Sequence, residues 1–261
     1  MPLMSYSLDR GRPLEALSFI ERLSPESATL THILNALYWD GDLEAATDAA
    51  GRLTRAVEDA RESADNQDMS NLCILEQWRV SHGQTRTLRG SIERLRAIDH
   101  PALDVCAAML NALHATRDDS SDQAAAAREL ESLLLETGVP WGSIVDEANL
   151  ILARVHEASG DAEAALAAVR RGGFYQWNRY GATYFREEGR LAALTGDTVG
   201  AIEAYRRYCA LRSDPEPRLV PVVEGVRREL DRLLATDVAQ ASIAGAPGCG
   251  SGDAGAPRRA R

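Results

Sequence analysis

Residues 184–234 read YFREEGRLAALTGDTVGAIEAYRRYCALRSDPEPRLVPVVEGVRRELDRLL, and this stretch decides the fold. Apolar side chains recur every three or four residues on both sides of Thr195-Gly196-Asp197, the spacing of two amphipathic helices joined by a tight turn. Gly196 suits the turn, Asp197 can accept from the exposed N–H groups of the second helix, and Ala201 is small enough for the two helices to approach closely. After Asp214-Pro215-Glu216-Pro217 a third helix, from about Pro217 to Leu234, closes the pattern.

The same phrase recurs upstream. Gly11-Arg12-Pro13-Leu14-Glu15-Ala16, Gly41-Asp42-Leu43-Glu44-Ala45-Ala46 and Gly160-Asp161-Ala162-Glu163-Ala164-Ala165 each place Ala five residues after Gly, two of them with Asp next to the Gly. Breakers at Ser24-Pro25, His82-Gly83, Asp99-His100-Pro101, Ser120-Ser121-Asp122, Gly138 to Pro140 and Gly172-Gly173 divide the rest into about a dozen helices. Proline in a first helical turn removes only an N–H that would have no partner, so Ser24, Asp99 and Asp214 are expected as caps ahead of Pro25, Pro101 and Pro215. No segment alternates with period two for long, so strands are not required. The expectation is an all-α domain over residues 1–235, followed by an Ala/Gly/Ser/Pro-rich tail over 236–261 that buries too little to offset its ordering entropy.

Charge is uneven. Residues 1–164 carry 28 acids against 14 arginines, whereas 165–234 carry 12 arginines against 9 acids. The first part should repel nucleic acid and anionic lipid, and no direct nucleic-acid contact is expected. Every basic residue is Arg, so Schiff-base and P-loop lysine chemistry is absent. No run approaches a membrane span, and residues 1–13 lack the basic-then-apolar order of a signal peptide. Cys73, Cys106, Cys209 and Cys249 form no CxxC pair, and reduced, buried thiols in a cytoplasmic protein are expected. The five histidines have no metal-ligand spacing, no serine sits in a nucleophile elbow, and neither cofactor nor metal nor catalytic residue is expected.

Six of the fourteen aromatic residues fall between Phe174 and Phe185. Phe174, Tyr175, Trp177, Tyr180 and Tyr184, with Arg170, Arg171 and Arg179, form the candidate partner-binding set. Aromatic faces beside guanidinium groups can hold a peptide, a base or an anionic ligand. Equally, large rings can fill the gap where a Gly-Gly loop turns one helix pair onto the next. The arginines from Arg206 to Arg232 interleave with Glu203, Glu224, Glu229 and Asp231 at ion-pair spacing, which is the pattern of a solvated helix face.

Gly189, Gly196, Ala201, Tyr205 and Pro215 together resemble the tetratricopeptide repeat, a unit of about 34 residues. The step from Gly160 to Gly196 is 36 residues and that from Gly11 to Gly41 is 30. The resemblance implies a right-handed α-solenoid of five to six helix pairs with a C-terminal capping helix. The segment from Gly196 to Leu230 further resembles the helical-repeat regions of bacterial transcriptional activator domain regulators and of bacterial serine/threonine kinases. It implies a non-catalytic scaffold for a protein or peptide partner in bacterial regulation or signalling, or else the effector or oligomerisation arm of a regulator whose DNA-binding or catalytic domain is elsewhere. Neither a winged helix nor the kinase motifs accompany it here. The first copy starts halfway through a repeat, as expected for a portion of something longer.

Overall fold

Each recurrence of the Gly-Asp-Ala phrase becomes the start of a helix with its Ala at a crossing. A computed structural model of the chain describes residues 7–23, 25–38, 41–60, 65–117, 122–136, 143–172 and 180–244. After a helical turn over residues 7–10 come α1 (Pro13–Leu23), α2 (Pro25–Tyr38), α3 (Leu43–Asp59), α4 (Asn66–Ser81), α5 (Leu88–Arg96) and α6 (Pro101–Ala115). They are followed by α7 (Gln123–Glu136), α8 (Ser143–Ala158), α9 (Ala162–Arg171), α10 (Gly181–Thr195), α11 (Thr198–Leu211) and α12 (Val220–Ala244). All regular structure among the described residues is helical.

The local chemistry is as the phrase requires. Gly11, Gly160 and Gly196 lie at φ of +83°, where a side chain would be strained. Asp42 accepts from the N–H groups of Glu44 and Ala45, Asp161 from Ala164 and Asp197 from Gly200. Ala16, Ala46, Ala165 and Ala201 are all 0% exposed, so each phrase delivers its methyl group to a helix crossing. Of the three expected caps before proline, Ser24 lies outside the described residues and the other two differ. His100, not Asp99, precedes α6 and makes no side-chain cap bond, since Pro101 already removes one of the orphan donors. Asp214 caps nothing: α12 begins at Val220, and the Asp214 carboxylate turns to the other end of the chain. At its far end α12 continues past Leu234 to Ala244, a run in which alanine favours helix, so the expected tail overlaps the helix over residues 236–244, while 245–261 lie outside the described residues.

Packing follows two rules. Each helix lies against the next along the chain, and α2, α4, α6 and α8 also lie against one another in succession, forming an inner layer. Inner helices are apolar on nearly every side: in α6, Leu103, Val105 to Leu110, Ala112, Leu113 and Ala115 are all buried. At about 25 cal/mol per Å² of apolar surface, an inner helix of this kind contributes more to stability than any ion pair on the rim.

The cysteine expectation is corrected here. Cys73 of α4 and Cys106 of α6 are joined by a disulfide, with Cα atoms 6.2 Å apart, at 3% and 1% exposure. Among the described residues Cys209 is the free cysteine. The two half-cystines are 33 residues apart in sequence and join adjacent inner helices.

The two ends of the array meet. Glu216 donates its N–H to the Gly11 carbonyl (2.8 Å), and its Oε1 accepts from the N–H groups of Leu14 (2.8 Å) and Glu15 (3.3 Å), thereby capping α1 from more than 200 residues away. Asp214 takes Arg10 at 2.8 Å and Arg12 at 2.7 Å. Arg212, 3% exposed, donates to the carbonyls of Leu8 and Asp9. A buried guanidinium spent on carbonyl oxygens is a structural rather than a solvated use of arginine. This clasp joins the residues around α1 to the loop between α11 and α12.

Candidate functional site

Of the candidate set, Arg170, Arg171, Tyr180 and Tyr184 fall within the described residues, while Phe174, Tyr175, Trp177 and Arg179 lie outside them. The four do not share one surface. The tyrosines point into the interior and the arginines line an outer groove.

Tyr180 is 0% exposed. Its hydroxyl donates to Glu147 of α8, and its ring lies 5.0 Å from that of Tyr38 at the end of α2. Tyr38 in turn donates to Gln77 Oε1 of α4 (2.6 Å), and Gln77 Nε2 donates to Glu147 Oε2 (3.2 Å). Thr183 Oγ1 donates to the Tyr38 carbonyl. A connected polar network thus crosses the inner layer and ties α2, α4, α8 and the start of α10 together. Glu147 is 4% exposed, and a carboxylate so buried requires these donors. Burial, with the charge of Glu147 next in size, holds the Tyr38 phenol well above its ordinary pKa. It therefore serves as a donor at any working pH.

Tyr184 is 3% exposed and donates to the Asp146 carbonyl (2.6 Å). Its pKa is also well above the ordinary value, from burial first and then the nearby Asp146 charge. Its ring lies over Gly172, where a Cβ would meet Cδ1 at 2.8 Å and other ring atoms closer still. Gly172 therefore has a steric reason: the ring occupies the space a side chain would need. For Tyr180 and Tyr184, the gap-filling reading describes their placement.

The arginines close the last turn of α9. Arg170 donates through Nε to Glu188 (3.0 Å) and through Nη2 to Asp197 (2.6 Å). Asp197 is held below the usual carboxylate range by that Arg170 bond and then by the Gly200 N–H it caps, so one carboxylate joins α9 to the start of α11. Arg171 pairs with Glu131 of α7. With Glu163, Leu166, Ala167 and Thr195 the two arginines line a groove of about 510 Å³. A second depression of about 560 Å³ continues it across the 159–163 turn to Leu194.

Sequence reasoning missed two features. Leu194 and Val199, on either side of the Gly196 turn, are 61% and 72% exposed, and Leu194 lines the second depression. Their signal was present as apolar residues on the polar phase of α10 and α11. The central network was also missed; its signal was Gln77 and Glu147 standing inside the apolar runs ILEQW and IVDEANLIL. Among the described residues no group of three His, Cys, Asp or Glu is placed to hold a metal ion, and no helix is long and apolar enough to cross a membrane. Compared with family models, with curated protein sequences and with solved structures, the chain matches none.

Proposed function

We propose that the chain is a non-catalytic scaffold that binds a protein or peptide partner, in a bacterial regulatory or signalling setting in the cytoplasm. Its helix pairs are read as a right-handed solenoid of five to six tetratricopeptide-like units with α12 as the cap. The inner layer is filled by its own side chains, so the partner is assigned to the outer edge rather than to a concave groove. The observation that carries this assignment is the exposure of Leu194 and Val199 on the two sides of the Gly196 turn, with Leu194 lining the depression that adjoins the groove at Arg170 and Arg171. Apolar side chains on a rim of fixed ion pairs offer a partner both area to bury and polar groups to set its register. A cytoplasmic setting requires that Cys73–Cys106 persist where thiols are kept reduced, and the 3% and 1% exposure of its half-cystines keeps soluble reductants out.

The test is site-specific photo-crosslinking in cells. A crosslinker at Leu194 should give one discrete protein adduct that disappears when Val199→Asp is added, while one at Leu43, 59% exposed on α3, should not. No adduct at Leu194, or the same adduct from both positions, would remove the assignment.

A further inference from the structure

Residues 79–96 hold five arginines and a single acid, Glu93, within the acidic part of the chain. The fold brings Arg79, Arg86 and Arg94 to one groove of about 780 Å³ formed by α3, α4 and α5, with Val57 and Leu72 as apolar wall and Glu58 at its edge. Its floor is built from buried groups. Glu76, 0% exposed, accepts from Arg79 Nη1 (2.8 Å), Thr87 Oγ1 (2.9 Å) and Ser91 Oγ (3.0 Å). Arg79 Nη2 donates to Thr54 Oγ1 (3.2 Å), so this guanidinium is fixed in place and its charge is matched by Glu76.

The other two arginines are not matched. Arg86 is exposed and makes no hydrogen bond or ion pair with a described residue, and Arg94 reaches the Ala60 carbonyl at 3.5 Å. Thr87 stands at the N-cap of α5 but gives its hydroxyl to Glu76, so the first turn of that helix has no side-chain cap on the groove side. Gly90, which also lines the groove, has open space where a Cβ would be.

We propose that this groove binds a phosphate monoester carried on an apolar body. Two unmatched guanidinium groups suit a dianion that can accept from both in bidentate fashion, whereas a carboxylate carries half the charge. The apolar wall and a volume within the usual range for small-molecule sites leave room for more than a bare oxyanion. The site is separate from the partner edge at Arg170 and does not depend on that reading.

Calorimetric titration of the full chain at fixed ionic strength tests it, with phenyl phosphate, inorganic phosphate, phenylacetate and a phosphoserine peptide as probes. Phenyl phosphate should bind saturably, with inorganic phosphate and phenylacetate each weaker by about fivefold or more. Arg86→Ala/Arg94→Ala should weaken phenyl phosphate by about tenfold or more while lowering the melting temperature by no more than about 2 °C, since Arg86 bonds to no described residue and Arg94 makes one long bond to the Ala60 carbonyl. Absence of saturation at about 10 mM phenyl phosphate, equal affinity in the double variant, or equal affinity for phenyl phosphate and phenylacetate would overturn the proposal. Tighter binding of the phosphoserine peptide than of phenyl phosphate would overturn the small-molecule assignment.

Discussion

Gly189→Ala should destabilise the protein, and Tyr205 is the reason. Gly189 lies buried on α10 directly under the Tyr205 ring of α11, and a Cβ there would stand 2.9 Å from Tyr205 Cγ and closer to Cδ1 and Cε1. Carbon atoms rest at about 3.5–4.0 Å, so the ring or the helix must move by about 1 Å. Tyr205 is 5% exposed, and its phenol is pushed up to about 12, chiefly by burial, so it has no solvent side to swing into. Alanine is favoured over glycine in a helix by about 0.8–1 kcal/mol, but overpacking of this kind costs about 1–3 kcal/mol. The expected net loss is up to about 2 kcal/mol. Tyr205→Ala alone should cost about 3–5 kcal/mol as a large-to-small core change. Once the ring is gone, adding Gly189→Ala should become stabilising by about 1 kcal/mol, which makes the coupling energy about 1–3 kcal/mol. Urea unfolding followed by circular dichroism measures all four corners of the cycle as shifts of midpoint at constant slope. A stabilising Gly189→Ala in the parent, or the same loss with and without the Tyr205 ring, would refute the packing argument.

Three further outcomes follow from the clasp, the seam beside it and the disulfide. Glu216→Ala removes the acceptor for Leu14 and Glu15 N–H, and the loss of a cap worth about 1 kcal/mol should speed exchange of those two amides about fivefold in hydrogen-exchange NMR, with α10 unchanged. Asp9 is raised to about 6 by burial, against the opposing pull of Arg212, so its native form binds the proton more tightly than the unfolded chain does. Its contribution is most favourable below about pH 4 and is lost as pH rises through 6. Asp9→Asn should therefore gain about 2–3 kcal/mol at pH 7.5 and almost nothing at pH 4, read as midpoints in urea. Alkylation under denaturing conditions should label two cysteines without reductant and four after reduction; four without reductant would exclude the Cys73–Cys106 bond.

What was legible in the sequence was local. Gly196, Asp197 and Ala201 act within one turn, on neighbours a few residues away, and the structure uses them for the conformation, the cap and the crossing that their chemistry implies. Gly189 beneath Tyr205 belongs to the same class. Long-range choices left weaker traces. Arg212 reads like Arg206 and Arg207, and nothing within its helix indicates that it alone is buried against carbonyls some 200 residues upstream. Tyr180 and Tyr184 sit among arginines in sequence, but a buried ring and a ring offered to a ligand have the same neighbours along the chain. Cys73 and Cys106 left no local trace either, because each is an isolated cysteine in an apolar helix and their pairing depends on how α4 and α6 pack.

The clasp restricts how this architecture can vary. An open array can gain or shed a unit at either end, because its terminal faces are independent of each other. Here Glu216 caps α1 and Asp214 holds Arg10 and Arg12, so the angle accumulated over all the intervening helices must bring two particular backbones within hydrogen-bond distance. Inserting or deleting one helix pair would rotate α1 away from its own cap. The number of helices between α1 and the clasp is thus tied to the geometry at the seam, and the turns between helices are where a change of length is most easily absorbed.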